Sequence, residues 1–219
     1  MKVLVFDTET TGLPIGKNPS IYEMDKWPYI VQLSYIFYDT ETKRTLECGD
    51  DIIKIPEKVV VSPESIAIHK ITPAHCKELG VPIKEAFARF NNCLQECDIV
   101  VGHNISFDKR LIMVESMRNQ IKQYFTIMGE RKPEYCSMKN TIDLCKISVI
   151  GQTGIEYFKY PKLSELHKHL FNVVPEGLHN ALADVLICLR CYVSIEHNYD
   201  ITTDSNALLI SMYNAYCSL

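Results

Sequence analysis

The sequence has 219 residues, of which 47% are hydrophobic and 23% charged, a composition typical of one folded domain rather than of a disordered chain. Its formal net charge of −4 argues against broad, sequence-independent binding of nucleic acid, which usually leaves a basic surface. The longest apolar runs contain about five residues. A membrane-spanning helix needs about 20, so we expect no membrane association.

The N-terminus lacks the longer apolar region and the cleavage site of a signal peptide, and we therefore expect a cytoplasmic location. Nine cysteines in a chain without an export signal argue against a disulfide framework. Cys188 and Cys191 have the spacing of a metal or redox pair. They fall within a helical pattern with no second such pair after it, so we interpret them as part of a buried helical stripe.

Three apolar segments in the first quarter of the chain predict strands that pair as an antiparallel meander. They are rich in β-branched and aromatic residues and cover residues 2–6, 29–39 and 50–55. Residues 11–28, between the first two, contain several glycines and prolines. A loop of this length in a compact domain is often functional.

The pattern then changes to alternating helices and strands. Helical periodicity covers residues 82–97, 107–121, 162–171 and 181–197, and short strands are predicted at 98–102 and 140–146. This order predicts an α/β domain over residues 1–197, with a mixed sheet flanked by helices. Residues 198–219 are expected to add a C-terminal helical extension of the same domain.

Two carboxylates, Asp7 and Glu9, end the first predicted strand. Side chains at i and i+2 of a strand point to the same side, so both groups can face one spot. Without a cation they would repel each other and raise a pKa. Hard oxygen ligands of this kind suit Mg²⁺ or Mn²⁺, so the strand end predicts a metal site.

Two further acids follow predicted strand or helix boundaries. Asp108 lies just past the strand at 98–102, where a first-turn carboxylate is favoured by the helix dipole. Asp184 falls in the first turns of the helix at 181–197, with Asn180 as its candidate N-cap. His179 lies just outside that helix and could reach the same place as Asp184. Taken singly, Asp108 is also typical of a capping acid and His179 of an ordinary loop histidine.

Three motifs now resemble a known family. Residues 6–14 (FDTETTGLP), 101–108 (VGHNISFD) and 179–184 (HNALAD) are similar to the three motifs of the DEDDh 3′–5′ exonucleases, which include the proofreading epsilon subunit of bacterial DNA polymerase III and ribonuclease T. The order and separations fit over roughly residues 1–197. The resemblance implies a ribonuclease H-like fold with a mixed five-stranded sheet.

The resemblance also implies site residues. It makes Asp7, Glu9, Asp108 and Asp184 the ligands of two divalent cations, with Asp7 bridging both. Glu9 and Asp184 would hold one ion, Asp108 would lie nearer the other, and His179 would be the general base. Two such cations activate a water and stabilise charge on the phosphate, and a histidine near neutral pH suits the proton transfer.

A pocket for the 3′-terminal nucleotide follows from the same resemblance. Its floor would be formed by the backbone of Thr10, Thr11, Gly12 and Leu13, with Leu13 wedged against the base. Asn104 and Phe107 would form the opposite wall, although Phe107 also fits a core position. His69 would either flank the pocket or cap a turn.

The sequence departs from the family in three places. Lys70 follows His69 where the family often has glycine, which restricts the backbone and adds a charge that could meet a phosphate. The segments 15–28 and 121–160 are longer than in many relatives.

The expected activity is hydrolysis of phosphodiester bonds at single-stranded 3′ ends, releasing 5′-mononucleotides. DNA proofreading or repair is favoured, with a DNA polymerase as a candidate partner, and RNA 3′-end trimming is the alternative. A haloacid-dehalogenase-type phosphatase would use Asp7 as a covalent nucleophile, but the acidic pair it requires downstream is missing. A catalytically silent binding module is disfavoured because all five expected catalytic positions are filled.

Overall fold

The structure is a computed structural model and describes residues 1–203 and 206–217. Residues 204, 205, 218 and 219, which belong to the predicted C-terminal extension, lie outside the described residues. The strands are, in chain order, Lys2–Thr10 (β1), Ile30–Asp39 (β2), Arg44–Ile52 (β3), Ile99–Gly102 (β4), Thr126–Ile127 (β5), Glu130–Arg131 (β6), Glu134–Cys136 (β7), Ser148–Ile150 (β8) and Glu156–Phe158 (β9).

Helices cover most of the remaining chain, together with a short 3₁₀ turn at Met24–Lys26. They are, in chain order, Pro63–His69 (α1), Pro73–Glu78 (α2), Ile83–Glu96 (α3), Ile105–Arg118 (α4), Ser137–Asn140 (α5), Ile142–Cys145 (α6), Leu163–Phe171 (α7), Ala181–His197 (α8) and Ala207–Tyr216 (α9). No helix of the described residues is long and apolar enough to cross a membrane.

Five strands form one mixed sheet in the order β3-β2-β1-β4-β7. The pairs β1–β2 and β2–β3 are antiparallel, whereas β1–β4 and β4–β7 are parallel. The remaining strands form two small hairpins, β5–β6 and β8–β9. The predicted fold class, a mixed five-stranded sheet flanked by helices, is confirmed.

Alternation along β1 divides the core into two halves. Val3 and Val5 pack with α7, α8 and α9 on one face, while Leu4 and Phe6 pack with α3 and α4 on the other. This is the period of two expected for a strand that is buried on both sides. The parity decides which helix each later residue of β1 meets.

Two predicted strands differ from the structure. Residues 140–146 were predicted as a strand, but that prediction is wrong, because they fall largely in α5 and α6. Thr141 is fully buried between these helices and its hydroxyl donates to the carbonyl of Ser137 at 2.7 Å, an i−4 bond that favours helical backbone. The fifth strand of the sheet is instead β7, whose three residues are too few to show a period.

The third strand also begins earlier than predicted. The prediction covered residues 50–55, whereas β3 ends at Ile52 and begins at Arg44. Side chains along β3 alternate between half-buried and exposed, as in a strand at the edge of a sheet. Ile53 forms a single parallel bridge with Val81 beyond the end of that strand.

The long loop before β2 is held by two arginines of α4. Arg110 donates to Asn18 and to the carbonyl of Pro19, and its guanidinium lies 4.7 Å from the ring centre of Trp27. Arg118 donates to the carbonyl of Pro28 at 2.8 Å. These contacts give the segment 15–28 a defined conformation beside the end of β1.

Candidate active site

The first two candidate residues lie at the end of β1. Asp7 and Glu9 have the same parity as Val3 and Val5, so their carboxylates emerge on the face of the sheet covered by α8. Both side chains are partly exposed, unlike the fully buried residues before them. Phe6 is thus a core residue and Asp7, the next residue, faces the candidate site, while the backbone of β1 stays paired with β2 through both positions.

Helix α8 brings the third carboxylate to the same face. Asn180 is its N-cap, and its side-chain oxygen accepts from the backbone N–H groups of Leu182 at 3.1 Å and Ala183 at 3.3 Å. Asp184 therefore lies in the first turn, as predicted. Its Oδ2 accepts from the backbone N–H of His179 at 3.3 Å. Its Oδ1 is buried and has no hydrogen-bond partner among the described residues.

Asp7, Glu9 and Asp184 form one cluster. One carboxylate oxygen from each lies within 4.8 Å of the others, close enough for a single cation to contact all three. Asp184, one of the three residues, has a buried Oδ1 without a hydrogen-bond donor among the described residues, and such an oxygen is costly. The donor set is all carboxylate oxygen, which fits Mg²⁺ or Mn²⁺.

Asp108 reaches the site from the opposite face of the sheet. It is buried in the first turn of α4 and lies outside the three-carboxylate cluster. Its Oδ1 accepts from Thr8 twice, from Oγ1 at 2.7 Å and from the backbone N–H at 3.1 Å. Thr8 lies between Asp7 and Glu9 in sequence and has the other parity, which explains why it meets α4.

The four carboxyls favour protonation when no cation is present. Burial, and then the charges of Asp108, Asp184 and Glu9, raise the pKa of Asp7 well above its ordinary range. Burial and the charges of Asp184 and Asp108 raise the pKa of Glu9 to about 8.

Burial also raises the pKa of Asp108 to about 7, although the hydrogen bonds from Thr8 lower it. The pKa of Asp184 is likewise raised to about 7 by burial, against the effect of the His179 backbone N–H. A cation would relieve both the burial cost and the mutual repulsion of these groups.

His179 lies at the rim of the cluster. Its side chain is exposed, and its backbone is left-handed, with φ of 70°. The backbone N–H, rather than the ring, contacts Asp184. His179, Asp7 and Asp184 line the same cleft, which has a volume of about 530 Å³, so the ring can enter the space above the carboxylates.

The family model described as "Exonuclease" matches residues 4–192. The chain belongs to the exonuclease family. The match covers β1, α4 and the start of α8, and with them all four acids. The resemblance to DEDDh-type 3′–5′ exonucleases and the prediction of an exonuclease domain are confirmed.

Solved exonuclease structures share the fold of this exonuclease domain. Escherichia coli exonuclease I in complex with a 5cy-dT13 oligonucleotide is 18% identical and matches with a TM-score of 0.67 over 90% of this chain and 41% of that one. Exonuclease I from Methylocaldum szegediense is 20% identical, with a TM-score of 0.64 over 92% of this chain and 42% of that one. The exonuclease domain thus spans about two fifths of these chains. No curated protein sequence matches it significantly.

The predicted floor of the exonuclease pocket has two kinds of residues. Thr10 and Thr11 are buried, and their hydroxyls bond the backbone of Gly12 and Tyr29, so they fix the turn after β1. Leu13 is 83% exposed and contributes little to the core. Among the described residues, neither Leu13 nor Thr10, Thr11 and Gly12 line the cleft that contains Asp7 and Asp184, so the wedge at Leu13 stays a prediction.

His69 supports this turn from the end of α1. Its Nε2 donates to the carbonyl of Thr10 at 3.0 Å, since its Nδ1 accepts from the backbone N–H of Ile71 at 3.0 Å. The ring is buried, and burial lowers its pKa. Of the two sequence-based alternatives, the contacts favour a histidine that fixes the turn.

The two residues predicted for the opposite wall of the pocket differ in their surroundings. Asn104 is exposed, starts α4 in a left-handed conformation with φ of 65°, and lines the cleft. Phe107 is half-buried and packs against the α3–α4 core, with its ring centre 6.5 Å from that of Trp27. The cleft therefore contacts Asn104, while Phe107 is shared with the core.

Sequence reasoning missed Thr8 and His103. His103 lies in the second motif; its ring bonds the hydroxyl of Ser137 at 2.9 Å and the carbonyl of Pro161 at 3.1 Å. Burial lowers the pKa of His103 to about 4, so it is neutral at pH 7 and links β4 to the segment before α7. The position of His103 within a recognised motif was a usable signal.

The structure also bears on the role of the cysteine pair in α8. Cys188 and Cys191 are buried in α8, and burial raises the pKa of both thiols. A protonated thiol is a poor metal ligand and nucleophile. The contacts agree with a packing role.

Proposed function

We propose that this exonuclease removes 5′-mononucleotides from the 3′ end of single-stranded DNA with the help of two divalent cations. The observation that carries the proposal is the approach of one carboxylate oxygen each from Asp7, Glu9 and Asp184 to within 4.8 Å of one another, at a cleft lined by Asp7 and Asp184. Mg²⁺ and Mn²⁺ fit the oxygen donors, and they would bind to these three groups and to Asp108.

The cations, when bound, supply Lewis acidity toward the phosphate and lower the pKa of a bound water. The protein's own groups do the rest. β1 holds Asp7 and Glu9 on one face, and Thr8 orients Asp108. His179 is proposed as the general base, because histidine is the side chain that most often accepts a proton in catalysis and because its loop places it at the rim of the cleft with Asp184.

Selection of the chain end is proposed for the turn after β1. The side chain of Leu13 is free to pack against a terminal base, while Thr10 and Thr11 keep the backbone of the turn fixed. Asn104 offers a polar group in the wall of the cleft. A rigid turn that carries an exposed apolar side chain can admit one unstacked nucleotide and exclude a continuous duplex.

DNA is favoured as the substrate because solved structures with this fold are exonuclease I complexes with dT13 and dA16 oligonucleotides. Those proteins are more than twice as long as the matched region, so the likeness supports a class of substrate and not a pathway. Trimming of RNA 3′ ends is the alternative. A role in DNA repair or proofreading, a polymerase partner and a cytoplasmic location stay predictions.

The test is a direct assay with a 5′-labelled oligonucleotide. Wild-type protein with Mg²⁺ or Mn²⁺ should shorten single-stranded DNA one nucleotide at a time and release 5′-mononucleotides, and a chelator should stop the reaction. Matched single- and double-stranded DNA and RNA define the preference. Faster turnover of RNA would establish the alternative.

Asp184→Asn keeps the shape of the side chain but removes a charge from the cluster, so activity should fall by at least about 10³-fold while the fold is kept. Asp143→Asn, an exposed acid of α6, is the matched control and should retain activity. Hydrolysis of p-nitrophenyl phosphate without cleavage of the oligonucleotide would contradict the proposal and indicate that the protein is a phosphatase. Full activity of Asp184→Asn would remove the site assignment.

A further inference from the structure

The β8–β9 hairpin continues into the wall of the catalytic cleft. β9 ends at Phe158, and Tyr160, Pro161 and Lys162, a few residues later, line the cleft together with Asp7 and Asp184. His103 fixes this junction through the carbonyl of Pro161. The hairpin is thus joined to the active site by a short segment held at one end.

Three aromatic rings on and after β9 are unusually exposed. Tyr157 is 54% exposed, Phe158 46% and Tyr160 54%. Within residues 1–203 and 206–217 none of the three stacks on another ring. Successive side chains of a strand point to opposite faces, so Tyr157 lies on one face of β9, where its ring packs against Gly151, and Phe158 lies on the other. Large exposed apolar side chains that adjoin a cleft mark a binding surface, and Phe158 and Tyr160 are the two rings that come just before the cleft-lining Pro161 and Lys162.

The same segment is locally basic in an acidic protein. Residues 146–162 contain three lysines, Lys146, Lys159 and Lys162, and one acid, Glu156, whereas the whole chain has a net charge of −4. Lys159 is bound to Glu165 at 2.6 Å. Lys146 and Lys162 form no ion pair in the part of the chain that the structure describes.

We propose that the β8–β9 hairpin and its return to the cleft bind the nucleotides that precede the 3′-terminal one. Phe158 and Tyr160 would stack on bases, and Lys146 and Lys162 would contact phosphates. This inference rests on the proposed exonuclease function and names the path of its substrate beyond the cleft.

Two features favour single-stranded nucleic acid over a protein as the occupant. The aromatic rings lie next to the cleft in sequence and are interleaved with lysines, which is the composition of a surface that stacks bases and tracks a phosphate backbone. Every base has a π face, so such a surface accepts any sequence, as an exonuclease that moves along a strand requires. The proposal predicts that affinity increases with strand length.

The experiment measures binding and cleavage separately. Fluorescence anisotropy with 5′-labelled dT4 and dT16 gives Kd in Mg²⁺, in the Asp184→Asn background to prevent hydrolysis. The Phe158→Ser/Tyr160→Ser double variant should bind dT16 at least about tenfold more weakly, since one stacked base alone contributes about 1 kcal/mol or more, and should lose most of the preference for dT16 over dT4.

Met128→Ser is the matched control, because Met128 is a fully exposed apolar side chain on the other small hairpin. It should keep the length preference. Lys146→Ser should lower the slope of log Kd against log salt by about 0.7, the value for one phosphate contact on a single strand. A thermal unfolding curve for each variant shows whether the variant is folded.

The two proposals fail in different ways. If wild-type protein degrades dT16 but the double variant keeps the preference for dT16 over dT4, the hairpin is not on the substrate path and the exonuclease proposal stands. If the double variant loses the preference while wild-type protein cleaves no oligonucleotide, the exonuclease proposal fails and the binding surface stands.

Discussion

Thr8 donates two hydrogen bonds to the same oxygen of Asp108, from its hydroxyl at 2.7 Å and from its backbone N–H at 3.1 Å. The two residues are 100 positions apart in sequence. The bond joins the strand that carries Asp7 and Glu9 to the helix that carries the fourth acid. It sets the orientation of Asp108 at the point where the two faces of the sheet meet.

Thr8→Val should impair activity without unfolding the domain. Valine keeps the volume and the backbone donor but removes the hydroxyl, and a buried hydrogen bond to a carboxylate contributes about 1.5–3 kcal/mol. We expect the free energy of unfolding to fall by about 2 kcal/mol in urea titrations and kcat to fall at least about tenfold.

Thr8→Ser restores the hydroxyl and serves as the control, so it should recover most of the lost activity. A Thr8→Val protein with wild-type kcat would mean that the orientation of Asp108 does not depend on this bond.

The metal-free protein should become less stable as the pH rises from about 6.5 to 8. Glu9, with a pKa of about 8, and Asp108 and Asp184, with pKa values of about 7, bind protons more tightly folded than unfolded. Their contribution to stability is complete at low pH and is lost as the pH passes through the folded pKa. Below about pH 6.5, buried histidines such as His103, whose pKa is lowered to about 4, act in the opposite direction.

Urea titrations in a chelator should show a loss of about 1–2 kcal/mol across that range, from the titration of one or two carboxyls. Mg²⁺ competes with protons for the same oxygens, so its stabilising effect should grow with pH. Glu9→Gln removes one titrating group and should flatten the curve in chelator. Equal stability at both pH values in chelator would contradict the raised pKa values.

Gly177→Ala should displace the loop that carries His179. Gly177 has φ of 74°, and an added Cβ would lie 1.9 Å from the carbonyl oxygen of Tyr216 at the end of α9. Strain and overlap together should lower the free energy of unfolding by about 3 kcal/mol. Activity should fall, since the general base proposed at His179 follows two residues later.

Gly129→Ala is the matched control, because Gly129 has φ of 84° with nothing within 4 Å of the added Cβ. The free energy of unfolding of Gly129→Ala should fall by only about 1 kcal/mol. Mg²⁺ affinity, followed by calorimetry, should stay close to wild type in Gly129→Ala and should weaken in Gly177→Ala, because the displaced loop includes the backbone N–H of His179 that bonds Asp184. Equal losses in the two variants would show that the contact with α9 is unimportant.

Lys70→Gly should be neutral or slightly stabilising. Lys70 ends α1 in the left-handed conformation, with φ of 64°, where glycine has no steric cost. The substitution removes about 1 kcal/mol of backbone strain, but glycine also has greater conformational freedom in the unfolded chain, which opposes this effect. We therefore expect the free energy of unfolding to rise by between 0 and about 1 kcal/mol.

The Lys70 ammonium donates to the carbonyl of Ala67 and does not line the cleft, so activity should stay within about twofold of wild type. A large loss of activity in Lys70→Gly would support the sequence-based expectation that this charge meets a phosphate. Urea unfolding and the oligonucleotide assay together separate the two outcomes.

The local sequence pattern was sufficient to place a site residue wherever its position depends only on residues near it in sequence. The alternation of β1 placed Asp7 and Glu9 on one side, and Asn180 marked the start of the helix that carries Asp184. Local pattern failed at residues 140–146, where apolar residues read as a strand form two short helices. The true fifth strand, β7, has three residues and is stabilised by pairing with β4.

The sequence by itself determined the type of domain and its acidic residues, because strand parity, helix caps and motif spacing are set by interactions within a few residues. The tertiary structure decided that α8 delivers Asp184 to one face of β1 while α4 delivers Asp108 from the other, where Thr8 holds it. It also decided that the segment after β9, with Tyr160, Pro161 and Lys162, lines the cleft. These relationships depend on contacts between residues far apart in the chain, and no local periodicity encodes such contacts.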